Sequence, residues 1–188
     1  MSAVQQPKSR FVWQFCLLFS FSILVALLGT FKAPTHFLGN ESSRQQGYLL
    51  DQARVFFTTD PNLSAAQALQ SSSKMLVTLP DSWDSSNKDF EGQSWYQIEF
   101  RLNPNKPKPN AVFLPRAVMN AHVYLNGYWI GGLGTLQGDI SRHWNHPYLF
   151  QFSPELLNVG NNTLLIQVAG YKNYRSGLGR VWVGPNQT

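Results

Sequence analysis

The chain has 188 residues, one cysteine and a formal charge of +5 at neutral pH. Three of its positive charges, Lys8, Arg10 and Lys32, flank one apolar segment. The remainder carries 12 basic against 10 acidic residues and has no Lys/Arg run, which argues against a nucleic-acid footprint. Cys16, the lone cysteine, lies in that apolar segment, so residues 33–188 gain nothing from disulfides and must build their own hydrophobic core.

The segment Phe11–Phe31 contains 21 residues without a charge. As a helix rising ~1.5 Å per residue it reaches about 30 Å, the thickness of a bilayer's hydrocarbon core. It reads as an uncleaved anchor. A cleaved signal peptide is the rival, but its apolar core is shorter and ends at a small-x-small site, and residues 30–34 offer no convincing one. Either reading exports the rest of the chain. The positive-inside rule keeps Lys8 and Arg10 in the cytoplasm. The expectation is therefore a single-pass membrane protein with residues 32–188 outside the cytoplasm.

Residues 32–47 are polar and aperiodic and read as a linker. Val55, Phe56 and Phe57 suggest a short strand, Asp60-Pro61 a turn, and Ser64 the N-cap of a brief helix over Ala65–Leu69. From Met75 the pattern is β. Residues 75–79 form a strand ending at Pro80. In 95–102, Tyr96, Ile98, Phe100 and Leu102 share one face, and Gln97, Glu99 and Arg101 share the other. Residues 103–110, with three prolines, form a loop. Strands follow at 111–115, 121–132, 148–152, 163–170 and 180–184. Asn126-Gly127 marks a hairpin turn, and Gly160-Asn161 a second tight turn. Short strands separated by turns predict an all-β fold, an antiparallel sandwich or jelly roll.

Charge is uneven along the exported portion. Residues 33–100 hold 4 basic and 8 acidic groups, and residues 101–188 hold 8 and 2. Either the halves offset one another on folding, or a basic face meets an anionic metabolite or lipid headgroups.

The densest set of recognition chemistry lies between Gly131 and Pro147, where Arg142, His143, Trp144, Asn145 and His146 fall together. An aromatic face stacks on the C–H bonds of a sugar, while Arg, Asn and His satisfy its hydroxyls. Tyr171 and Arg175 bring similar chemistry to a second loop. The candidate ligand-binding residues are therefore Arg142, Trp144, Asn145, His146, Tyr171 and Arg175. Trp144 suits equally a plug closing one end of the sandwich. Trp83, Trp95, Trp129 and Trp182 are assigned to packing. His143-x-x-His146 with Asp139 has metal-compatible spacing but no further ligand nearby, so neither a metal nor a cofactor is expected. Gly131-Gly132-x-Gly134 opens no helix and fails as a phosphate loop. No acidic residue sits in a run that argues for acid/base pairing, and no catalytic residue is assigned.

The ordered motifs carry a resemblance. Pro80-Asp81-Ser82-Trp83 leads to Gly92 and Trp95-Tyr96, then Val123-Tyr124-Leu125-Asn126-Gly127 with Ile130-Gly131, Trp144-Asn145-His146-Pro147, Gly160-Asn161 and Val181-Trp182-Val183-Gly184-Pro185. Over residues 48–185 this is similar to the galactose-binding-like jelly roll of the sugar-binding domain in glycoside hydrolase family 2. It resembles more closely the exported sensor modules of bacterial sensor histidine kinases and some diguanylate cyclases. That resemblance implies a small-molecule ligand, carbohydrate or anionic metabolite, and a kinase or cyclase output domain beyond Thr188. This chain would itself not be an enzyme. The alternatives are an envelope module that binds proteins or forms a homodimer, and the carbohydrate-binding domain of a truncated glycoside hydrolase.

Overall fold

The computed structural model describes residues 47–115, 120–136 and 147–186. The anchor expected at Phe11–Phe31 lies outside the described residues. Among those described, no helix is long and apolar enough to cross a membrane.

The described residues form twelve strands, and every pairing between them is antiparallel. In chain order they begin with β1 (Tyr48–Leu50), β2 (Gln52–Thr58), β3 (Met75–Thr78) and β4 (Asp81–Ser82). Next come β5 (Gly92–Arg101), β6 (Ala111–Leu114), β7 (Ala121–Leu125) and β8 (Tyr128–Leu133). The series ends with β9 (Tyr148–Gln151), β10 (Asn161–Gly170), β11 (Gly177–Leu178) and β12 (Val181–Gly184). Two short helices, α1 (Ala65–Gln70) and α2 (Trp83–Ser86), interrupt them. One sheet has four strands in the order β1-β12-β6-β9, and a second has six in the order β3-β2-β5-β10-β7-β8. A two-stranded ribbon joins β11 to β4.

The two larger sheets bury their facing sides against each other. Val112, Leu114, Val181 and Val183 of the first sheet share a core with Tyr96, Ile98, Val123, Leu164 and Ile166 of the second. This is the all-β antiparallel sandwich expected from the alternation, and the face assigned to Tyr96, Ile98 and Phe100 is the buried one. Asn126 and Gly127 both adopt positive φ, 50° and 88°, as a two-residue type I′ hairpin turn requires. The Asn126 side chain fixes the turn: its Nδ2 donates to Leu156 O and Asn162 Oδ1, and its Oδ1 accepts from Thr163 N.

One end of the core is closed by aromatic rings. Phe57, Trp83 and Phe90 meet edge to face, with centroids 5.2–5.6 Å apart. Trp83 Nε1 donates to Tyr96 Oη at 2.9 Å, and Tyr96 Oη donates to Asp81 Oδ2 at 2.6 Å. The buried indole and phenol thus satisfy each other and end on a carboxylate that also accepts from Ser86 Oγ. Burial, followed by the Asp81 contact, raises the Tyr96 pKa far above its ordinary value.

The segment around residue 47 and the end of the last strand are neighbours. Tyr48 pairs with Val183 across the β1–β12 ladder, and Gly47 Cα lies 3.2 Å from where a Cβ on Gly184 would stand.

Trp129 corrects the packing assignment. Trp83 and Trp95 are buried, but Trp129 is 62 % exposed. It sits on β8, the edge strand of the six-stranded sheet, which among the described residues has a paired strand on one side only. The strands β1, β4 and β11 are additional to the expected set. Each has two or three residues, and its pairing depends on distant partners.

Candidate functional site

The outer face of the six-stranded sheet is formed by the residues that alternate with the core. On β5 these are Gln93, Trp95, Gln97 and Glu99, on β10 Leu165 and Gln167, and on β7 His122 and Tyr124. Register brings them together: Gln167 lies opposite Trp95 on one side and His122 on the other, and Leu165 lies opposite Tyr124. Period-two alternation on three adjacent strands therefore gathers an amide, an indole, an imidazole and a phenol on one surface.

Helix α1 covers part of this face. Its start is a capping box: Ser64 Oγ accepts from Gln67 N, and the Gln67 side chain accepts from Ser64 N. Ala68 packs with Trp95 and Leu165 in a second, smaller apolar cluster. The helix covers only part of the sheet, and an open cavity of about 600 Å³ remains beside it. Its floor is Gln93, Trp95, His122, Tyr124 and Gln167; its walls are residues 61–65 and 134–136. The volume is in the range of a small-molecule site.

Gln167 Nε2 donates to Gln93 Oε1 at 2.7 Å, and both residues are at most 5 % exposed. Each primary amide has two N–H donors and a carbonyl that accepts twice. Among the described residues no other side chain or backbone group bonds to Gln93 Nε2 or Gln167 Oε1. Trp95 Nε1 is buried and has no hydrogen-bond partner among the described residues. The Trp95 and Tyr124 rings are tilted against each other, with centroids 5.9 Å apart. Burial lowers the His122 pKa, a hydrogen bond to the Gly134 backbone partly opposing it, and burial raises the pKa of Tyr124. Both groups are therefore held neutral near pH 7.

The far wall depends on a glycine. Gly134 has φ +64°, and a Cβ there would stand 2.3 Å from Asn120 Oδ1. Asn120 is fully buried; its Nδ2 donates to Thr135 O, and its backbone carbonyl accepts from Ala169 N. Asn120 thus links the wall to β10 behind the cavity floor.

Four of the six expected ligand residues, Arg142, Trp144, Asn145 and His146, lie outside the described residues, as do His143 and Asp139. Tyr171 and Arg175 are described. They follow β10 in a turn where Tyr174 N donates to Tyr171 O and Asn173 has φ 68°. Tyr171 is half-buried, Arg175 is exposed, and neither lines the cavity. Sequence reasoning passed over Gln93, Trp95, His122, Tyr124 and Gln167. The available signal was a polar residue inside an otherwise apolar strand, as in Leu165-Ile166-Gln167-Val168. Among the described residues, no group of three or more His, Cys, Asp or Glu side chains is placed to hold a metal.

No protein-family model matches the chain. No curated protein matches it either. Solved structures do. A β-glucuronidase from an uncultured Clostridium species superposes with TM-score 0.56 at 16 % identity, covering 74 % of this chain and 29 % of the enzyme. The β-glucuronidase of Ruminococcus gnavus gives TM-score 0.58 at 16 % identity, covering 73 % of this chain and 28 % of the enzyme. Its complex with D-glucuronic acid gives 0.57 at 18 % identity with the same coverage. The chain thus spans under a third of the length of these glycoside hydrolases. What is shared at such identity is the fold: an antiparallel β-sandwich of the kind these glycoside hydrolases contain.

Proposed function

We propose that this sandwich is a non-catalytic carbohydrate-recognition module of the galactose-binding-like jelly-roll type, with its ligand in the cavity beside α1. The observation that carries the reading is the Gln93–Gln167 amide pair, set between Trp95, Tyr124 and His122 on an open concave face. A pyranose ring has the matching chemistry. Its axial C–H bonds rest on the half-buried Tyr124 ring, and its hydroxyls exchange hydrogen bonds with the amides and the imidazole. The likeness to sandwiches in β-glucuronidases supports a carbohydrate ligand over the sensor-module reading, which rests on motif order alone. Placement outside the cytoplasm, tethered through Phe11–Phe31, is part of the proposal and rests on the sequence of that segment.

The test is a ¹⁵N-labelled full chain in mild detergent, titrated with a panel of methyl glycosides. Shifts in the side-chain amides of Gln93 and Gln167 are expected, and Tyr124→Ala should weaken binding at least about tenfold. Shifts confined to residues 171–175 would move the site to that loop. Absence of any shift across the panel would defeat the reading.

A further inference from the structure

The cavity has a property that its sugar-binding role does not require. None of its described lining residues is an Asp, Glu, Lys or Arg. On the same sheet face Arg101 stands at the end of β5 far from Gln93, and the other charged side chains are engaged with one another or with neighbouring groups: Arg54 pairs with Glu99 at 3.3 Å, and Lys74 Nζ donates to Leu69 O and Gln97 Oε1. Gln97 Nε2 in turn donates to Glu99 Oε1. These groups form one network on the α1 side of the sheet. The cavity floor instead offers amides, one imidazole, one phenol and one indole.

We infer that the cavity selects an uncharged, polyhydroxylated ligand, a neutral pyranose, and discriminates against the corresponding uronic acid. The inference rests on the carbohydrate reading above and adds the charge class of the sugar. A carboxylate entering this site gives up part of its hydration and meets no cation on the described surface. Its compensation is limited to amide and hydroxyl donors, whereas a carboxylate is best matched by a guanidinium or ammonium partner. A hydroxymethyl group at the same position loses far less hydration, and it both donates and accepts. It therefore matches the mixed inventory of Gln93 Nε2, a donor, and Gln167 Oε1, an acceptor. His122, kept neutral by burial, adds one N–H donor and one acceptor nitrogen.

Calorimetry on the full chain in detergent tests this with four probes: methyl β-glucoside, methyl β-galactoside, glucuronate and galacturonate. At low ionic strength and pH 7 at least one neutral glycoside should bind, and its uronate should bind at least about tenfold more weakly. Gln93→Leu/Gln167→Leu and Tyr124→Ala should each weaken the neutral sugar, with a far-ultraviolet spectrum like that of the parent chain. Because Tyr124 is only half-buried, its variant keeps the test valid if the double variant fails to fold. A uronate that binds as tightly as the neutral sugar and is weakened by the same variants would overturn the charge selectivity and leave the carbohydrate reading intact. Uronate binding lost in Arg142→Ala would also overturn it, since a cation would then serve the site. If no probe binds, or the variants leave binding unchanged, the carbohydrate reading falls and this inference with it.

Discussion

Gln167 reaches across the β5–β10 ladder to Gln93, 74 positions earlier in sequence, and the bond between them is 2.7 Å long. Two nearly buried amides on a sheet face are stable there because each solves part of the other's desolvation. Removing one partner is therefore worse than removing both. Gln167→Leu should lower unfolding free energy by about 1–3 kcal/mol, because the Gln93 amide keeps its burial and loses its bond. Gln93→Leu/Gln167→Leu should recover most of that loss. Urea denaturation of the three variants measures the difference, and a double variant as unstable as the sum of the singles would contradict the pairing.

The Trp83–Tyr96–Asp81 chain makes stability depend on alkaline pH. Tyr96 has a raised pKa in the folded state, so the native protein holds this proton more tightly than the unfolded chain. Its contribution is fully present below the unfolded tyrosine value of about 10 and is lost as pH rises above it. Tyr96→Phe should remove that part of the alkaline loss. It should also cost about 1–3 kcal/mol at neutral pH by leaving Trp83 Nε1 and Asp81 without their partner. Denaturation curves between pH 8 and 11 report both effects.

His122 behaves in the opposite sense. Burial lowers its folded-state pKa, so the unfolded chain binds the proton more readily. Stability is fully present above the unfolded value of about 6.5 and declines as pH falls below it. Nuclear magnetic resonance should place the His122 titration midpoint below that of an exposed histidine. His122→Gln should flatten the acid side of the stability profile.

Gly170 ends β10 against the aromatic closure. A Cβ at this position would stand 2.0 Å from Trp83 Cζ3. Gly170→Ala must displace a ring that is packed against Phe57 and Phe90 and hydrogen-bonded to Tyr96. The expected cost is about 1–3 kcal/mol, read as a lower melting temperature. An unchanged melting temperature would mean that Trp83 has room to move.

Most of the fold was legible because its signals are local. Alternation in 95–102, the Asn126-Gly127 turn and the Ser64 cap each specify a backbone state within a few residues, and each element forms where expected. The pairs Asp81–Ser82 with Gly177–Leu178, and Tyr48–Leu50 with Val181–Val183, carry no such signal, because only the finished sandwich brings them together. The cavity was hidden for the same reason. A search for polar and aromatic residues close in sequence finds loops, and it drew attention to Arg142, Trp144 and Tyr171. Gln93, His122 and Gln167 belong to three strands and become neighbours only through register. Each taken alone looks like an ordinary outward residue of a half-covered sheet.

The pairing of β1 with β12 sets how the domain responds to load. Gly47 and Gly184 stand next to each other at one end of the antiparallel β1–β12 ladder. Tension drawing these two points apart therefore falls on the outermost rung first and peels the ladder open one hydrogen bond at a time, instead of shearing all its rungs together. Since β1 is an edge strand of three residues, it would detach, together with the Lys106–Gly47 and Asn103–Tyr48 hydrogen bonds, while β12 stays bonded to β6.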